Sequence, residues 1–334
     1  MRPFVVRVAE LFRGTEPPDP DAFRQTVEEA LEALRTEPAP IRPPDSQGRP
    51  GGVVRLSRDL PTLIVPDIHG RMDFFIRVLG YEAEQGTKTL ALLAQGRVQV
   101  LCLGDGMHAE SRAAARWRTA LDEFNGGYRR RESMDEEMRE SLGVMAMVME
   151  AKRYFPEHFH FLKGNHENIA NESGGGNFPF RKFALEGVMV STYMRQFYGE
   201  EILDRMAAFE KELPLLAIGH GFLASHAEPA EFFAEEQVIE YHQDPEVVAG
   251  LTWTDNGEAD PQIVPSMLEA YLGEEAPRAY YFGGHRAVEG GYRLRAGGRF
   301  VQIHDPSRFV IAYCPPSGEI DLDRDVRDIE RPGS

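Results

Sequence analysis

From residue 60 onward the chain repeats one pattern. A short apolar run ends in Gly, Asp, Asn or His, and a helical or loop-like stretch follows. TLIVPDIHG, VQVLCLGDG, FHFLKGNHE, FLASHAE and YYFGGH all have this form. Each reads as a buried strand whose C-terminal loop carries polar residues. Strands alternating with helices predict an α/β protein. In open α/β sheets, ligands gather beyond the carboxyl ends of strands. Five such loops are therefore expected to converge on one site.

Upstream, residues 21–35 predict an amphipathic helix with Phe23, Val27, Leu31 and Leu34 on one face. EPAPIRPPDSQGRPGG follows, and its Pro and Gly mark a linker or a long surface loop. The helix is free either to pack on the main body or to hang from it. Residues 106–160 predict mostly helix. Ser133 and Glu136 fit an S-x-x-E capping box. Met138, Leu142, Met145 and Met149 then follow at helical spacing, a stripe that reads as a core face. After residue 290, YRLRAGG and RFVQIHDPSRFVIAYC predict β-hairpins, and DLDRDVRDIERPGS a charged, solvated tail. There is no internal repeat.

Composition narrows the function classes. With 334 residues, 42% hydrophobic, the chain can bury one large core or two smaller ones. No apolar run approaches the ~18 residues that span a bilayer. The first segment, MRPFVVRVAELFRG, is too charged for a signal peptide. Two cysteines, Cys102 and Cys314, make no disulfide framework. Cys102 reads as a small core hydrophobe, and a reducing cytoplasm is the simplest home. The net charge of −17 lacks the basic footprint of a nucleic-acid binder, which argues against a nuclease.

The candidate chemistry sits at the strand ends: Asp67 and His69, Asp105, Asn165 and His166, His226, and His285. These offer oxygen and imidazole donors without thiolates. Such a set suits Mn, Fe or Zn in an open site better than a closed structural zinc site. Taken singly, each has a plain structural explanation, an Asp as a cap and a His as a core residue. Their joint occurrence in this order is the signal. His158, His160, His220 and His242 carry no such context. His304 is less clear, because its hairpin could pass near the site.

The order D-x-H-G, G-D, G-N-H-E, strand-end His, G-H resembles the calcineurin-like metallophosphoesterases, and within them the phosphoprotein phosphatase branch. The motifs stand as Asp67-Ile68-His69-Gly70, Gly104-Asp105, Gly164-Asn165-His166-Glu167, Ser225-His226-Ala227 and Gly284-His285. Leu251-Thr252-Trp253-Thr254-Asp255 looks like that branch's L-x-W-[ST]-D segment, and RAVEGGYRL after His285 is similar to its H-x-x-V-x-x-G-Y run. Ala287 leaves out the second histidine of a G-H-x-H ending, which the nuclease branch normally has. The resemblance covers about residues 60–315. It implies a two-sheet β-sandwich flanked by helices. It divides the chain into a helical extension and linker (1–52), a catalytic domain with a helical insertion near 106–160 (53–316) and a charged tail (317–334).

The resemblance also implies two divalent ions, Mn first with Fe or Zn as alternatives. Asp105 would bridge them, Asp67 and His69 would complete one site, and Asn165, His226 and His285 the other. Such a pair lowers the pKa of a shared water, so that a metal-activated hydroxide attacks phosphorus. His166 is implied as the general acid facing the leaving oxygen, with a spacer role as its plain alternative.

Two departures stand out. Where the phosphatase branch reads G-D-x-V-D-R-G, this chain has Gly104-Asp105-Gly106-Met107-His108-Ala109-Glu110. His108 replaces the Asp that pairs with the general acid, so Glu110 or Glu167 is left to supply that charge. Ala109 replaces a phosphate-binding arginine. The candidates to fill that gap are, in order, Arg71, Arg181, Arg112 and Arg286.

The leading reading is a serine/threonine-type phosphomonoesterase acting on a phosphorylated substrate, with a phosphoprotein as the first candidate. Neither membrane nor nucleic acid is expected as a partner. The second reading is hydrolysis of nucleotide phosphodiesters or diadenosine polyphosphates. The third is a weakly active metal-binding interaction module.

Overall fold

A computed structural model describes residues 1–329. Two mixed sheets stack face to face. The first has the order β1 (Val53–Arg55), β5 (Leu216–Gly219), β6 (Phe222–Ser225), β7 (Tyr280–Gly283), β9 (Phe300–Gln302) and β8 (Arg293–Arg295). The second has the order β11 (Val326–Asp328), β10 (Val310–Cys314), β2 (Thr62–Val65), β3 (Gln99–Cys102) and β4 (Phe159–Phe161).

Strand periodicity builds the layers. Ile64, Leu101, Ala217, Ala224, Phe282 and Val301 meet between the sheets. Their neighbours Leu63, Val65, Val100 and Cys102 face a helical layer on one outer side, and Leu216, Leu223, Tyr281 and Phe300 face a second on the other. Every run is buried on both faces, which is why it reads as continuous apolar sequence. The expected two-sheet sandwich flanked by helices is the observed architecture.

Strand direction places the site. β2, β3 and β4 are parallel neighbours in one sheet. β6, β7 and β9 are parallel neighbours in the other. The carboxyl ends of each trio lie along one edge of its sheet, so six loops meet at one edge of the sandwich rather than five. The sixth follows β9 and carries His304.

That loop corrects one expectation. YRLRAGG and the next strand do form a hairpin, β8 with β9. The second expected hairpin does not exist. β9 already has β7 and β8 on its two edges, and β10 pairs with β2 and β11. With both edges of β9 taken, residues 303–309 cross from one sheet to the other over the site.

The helix Pro20–Arg35 packs on the helices Glu132–Tyr154 and Glu200–Lys211. Its Phe23, Val27, Leu31 and Leu34 join the apolar cluster that covers β2 and β3. The Pro/Gly stretch after it is tied down: buried Arg42 donates to Gly51 O and Glu37 Oε2, both at 2.7 Å. Lys152 adds a second cation on Glu37.

The long helix starts at Glu132, and Ser133 does not cap it. Its first N–H groups, on Ser133 and Met134, donate instead to the Glu123 carboxylate, both at 2.9 Å. The methionine stripe is wholly buried, as expected.

The charged end of the chain is only partly solvated. Val326–Asp328 extends the second sheet beside β10, which covers an edge that would otherwise expose unpaired backbone groups. Asp325 is buried and held by Arg324. Residues 330–334 of the expected tail lie outside the described residues. No described helix is long and apolar enough to cross a membrane.

Candidate metal centre

The loops approach one another closely because glycine precedes the key carboxylates' neighbours. A Cβ on Gly284 would sit 1.8 Å from Asp67 Oδ1, and one on Gly164 would sit 2.2 Å from Asp105 Oδ1. Only glycine fits at such a crossing. His69, Asp105 and His285 take φ values of 47°, 50° and 63°. Left-handed backbone at non-glycine residues is uncommon and collects at functional sites.

Asp67, His69, Asp105, Asn165, His166, His226 and His285 come together around Asp105 Oδ2. His226 Nε2 lies 3.3 Å from that atom, His69 Nε2 3.6 Å and His166 Nε2 3.7 Å. His69 Nε2 is also 3.9 Å from Asp67 Oδ2. Asn165 Oδ1 is 3.0 Å from His226 Nε2 and 2.9 Å from His285 Nδ1. Backbone groups fix both carboxylates: the His285 N–H donates to Asp67 and the His166 N–H to Asp105, both at 2.9 Å.

Tautomers decide what this cluster can hold. His226 Nδ1 faces Leu103 O at 3.0 Å, and His69 Nδ1 faces His108 O at 2.9 Å and Met107 O at 3.1 Å. A carbonyl only accepts, so each Nδ1 carries the proton. In the neutral ring each Nε2 would point a lone pair at carboxylate and amide oxygens. Such a packing of acceptors, nearly dry, needs a cation. Burial works against charge on His226, yet Asp105 and Asp67 outweigh it and push its pKa up to about 9. Burial would raise the Asp105 pKa, but His166, His226 and His69 draw it well below the carboxylate range. Asp67 Oδ1 and His285 Nε2 are buried without partners. The donor set therefore fits divalent metal, in three groups: Asp67, His69 and His304; His69, Asp105 and His166; and Asp105, His226 and His285.

No protein-family profile and no curated protein matches the chain. Solved structures do match. One is a protein serine/threonine phosphatase from Saccharomyces cerevisiae described as similar to human phosphatase PP5. It has 14% identity, a TM-score of 0.56, and coverage of 92% of this chain and 88% of that one. Another is a mutant of a cold-active protein tyrosine phosphatase, with 11% identity, a TM-score of 0.50, and coverage of 87% and 83%. The chain has the calcineurin-like metallophosphoesterase fold.

On this metallophosphoesterase fold, several side chains do jobs that differ from those expected. Glu167 does not reach His166. Its Oε2 accepts from Asp105 N and Gly164 N, and its Oε1 from Gly106 N. It clamps two metal loops together. His108 is buried with neither ring nitrogen bonded, and it packs edge-on against His166 with centroids 5.1 Å apart. His166 Nδ1 has no partner among the described residues, so no described side chain stands where that Asp would. Ala109 is buried, its N–H on Glu137 and its carbonyl on Trp117. The position faces the helical insertion rather than a substrate.

The four arginines also sort themselves. Arg71 is buried, and its guanidinium donates to the carbonyls of Ile68, Asp67, Pro306 and Arg308. It ties the first motif loop to the crossing loop, and its fork is engaged by backbone carbonyls rather than left open. Arg112 donates to His69 O and pairs with Glu140. Arg286 is held bidentate by Asp255 at 2.8 Å. Arg181 is exposed and, alone of the four, has no hydrogen bond or ion pair among the described residues. It lies in the segment 171–185, which covers the site: Phe180 packs 3.9 Å from the His166 ring centre, and Lys182 reaches Glu110 at 3.2 Å.

The insertion has a visible role. Glu137 and Ser141 of the helix Glu132–Tyr154 receive the N–H groups of Ala109 and His108. The helix thus shapes the second motif loop from behind.

Lys182 and Phe180 were missed as neighbours of the cluster, and His304 was left open. The sequence signal for His304 was present, since FVQIHD has the same strand-end form as the five motifs. His160 and His242 lie instead beside Glu37 and Asp45, in networks that hold the Pro/Gly stretch.

Proposed function

We propose that this chain is a metal-dependent phosphoesterase, most simply a phosphomonoesterase of the serine/threonine protein phosphatase type. The observation that carries the reading is Asp105 Oδ2, a buried carboxylate oxygen approached by the Nε2 atoms of three histidines. Asp67, His69 and Asp105 would hold one divalent ion, and Asp105, Asn165, His226 and His285 the other. Bound ions supply Lewis-acid charge to phosphoryl oxygens and acidify water.

The chain's own residues do the rest. His166 stands beside Asp105 at the open side of the cluster, and its role is to donate a proton to the leaving oxygen. Burial keeps it neutral, with its pKa well below the usual histidine value despite Asp105. A phosphate dianion arriving alongside would favour the protonated form. Phe180 shields one side of the ring from water. Arg181 and Lys182, on the covering segment, would meet the phosphoryl oxygens left outside the ions' reach. Glu110 adds a third carboxylate, so two divalent ions leave a smaller positive surplus than Asp67 and Asp105 alone would.

The test is a substrate panel on metal-loaded protein. An aryl phosphate, a phosphopeptide, a phosphodiester and a dinucleotide polyphosphate are compared, with metal content measured in parallel. Turnover of the aryl phosphate and phosphopeptide that is abolished by chelation is the expected result. Preference for the diester or dinucleotide would replace the substrate class. Metal uptake without any turnover would favour an interaction module.

A further inference from the structure

His304 lies just beyond β9, in a segment expected to form a hairpin that could pass near the site. Its side chain is fully buried. Nε2 lies 2.9 Å from Glu110 Oε2. A carboxylate oxygen accepts, so Nε2 carries a proton. The other nitrogen, Nδ1, has no hydrogen-bond partner. It lies 4.0 Å from Asp67 Oδ2 and falls with Asp67 and His69 into one group whose ligand atoms are close enough for a single ion.

This is the wiring of His69 and His226 a third time. One ring nitrogen is anchored on an oxygen, and the other turns inward toward a carboxylate. The separation matches two ligands about 2.0–2.2 Å from a common ion. It is too long for a hydrogen bond. The anchor differs: His69 and His226 use backbone carbonyls, whereas His304 uses an ionised carboxylate, the stronger partner. Glu110 in turn is held on its other oxygen by Lys182, at 3.2 Å. Ala287 leaves out the second histidine that a G-H-x-H ending would carry. A histidine from β9 therefore reaches the cluster from a different strand.

We propose that His304 is a further ligand of the ion held by Asp67 and His69, and that Glu110 is the positioning carboxylate that fixes its tautomer. The proposal rests on the metal-dependent reading of the site. It gives the first site four protein ligands, Asp67, His69, Asp105 and His304, to match the four of the second. It also connects the covering segment to that ion through Lys182 and Glu110.

The experiment titrates full-length, metal-stripped protein with Mn²⁺, followed by calorimetry and by the EPR signal of free Mn²⁺. Wild type should show two sites. His304→Ala and His304→Leu should weaken one ion at least tenfold and leave the other within about threefold. Glu110→Gln should weaken the same ion by about 10–100-fold, the usual effect of losing a ligand's outer partner. Wild-type affinities at both sites in the His304 variants would overturn the proposal while leaving the phosphoesterase reading intact. A wild type that takes up no divalent ion would end both. Circular dichroism of the metal-free variants reports whether they fold. If they do not, anomalous scattering from Mn-loaded wild-type crystals decides: His304 Nδ1 at bonding distance supports the assignment, and an ion outside its reach refutes it.

Discussion

Glu167 accepts the backbone N–H of Asp105 at 2.8 Å, so a buried carboxylate with no ligand role sets the position of the carboxylate at the centre of the cluster. The same side chain holds Gly106 and Gly164. Burial and the nearby Asp105 raise its pKa, against the pull of three N–H donors. A clamp of this kind is expected to matter most before metal binds.

Glu167→Gln keeps one acceptor oxygen but turns an NH₂ group toward backbone donors. Loss of roughly 1–3 kcal/mol of stability is expected, the cost of buried donors left unsatisfied. Affinity for both ions should fall together. Thermal denaturation and metal titration of the variant check this, and an unchanged melting temperature would count against the clamp.

Asp105→Asn should weaken both ions, because Asp105 Oδ2 is shared by the histidines on either side. Asp67→Asn should weaken mainly one. Elemental analysis of the two purified variants distinguishes these outcomes. Full occupancy in Asp105→Asn would contradict a bridging position.

His166→Asn should leave metal content unchanged and slow turnover by roughly 10²–10⁴-fold, the usual worth of general acid catalysis. The loss should shrink for substrates with good leaving groups, which need no proton. A loss that is uniform across a series of aryl phosphates would assign His166 a spacer role instead.

Arg181→Ala should raise KM or lower kcat/KM by about tenfold or more with metals retained, as expected when a guanidinium–phosphate pair is removed. Arg71→Ala should act differently. Four carbonyls lose a charged donor, so unfolding free energy should drop by roughly 1–3 kcal/mol, while KM of the folded protein changes little. Steady-state kinetics beside denaturant titration separates the two. The reverse assignment would restore Arg71 to the substrate.

The sequence by itself determined the strands, the order of the motifs and which polar residues end each run. Burial on both faces leaves an unbroken apolar stretch, and close loop crossings demand glycine, so both facts are written locally. Residues such as Gly164 and Gly284 announce their contacts through the absence of a side chain. What only the tertiary structure decided was partnership across the chain. Whether Arg71 meets phosphate or four carbonyls depends on residues 306–308, and whether Glu167 pairs with His166 or with backbone depends on how two loops cross. The strand after residue 300 looked like half of a second hairpin with β10, but its other edge is taken by β7, which is parallel and comes from an earlier segment. That pairing, with both edges of β9 already taken, is what carries His304 over the site. Strand pairing and side-chain reach are set by the packing of distant segments, and no local pattern of hydrophobic and polar residues records them.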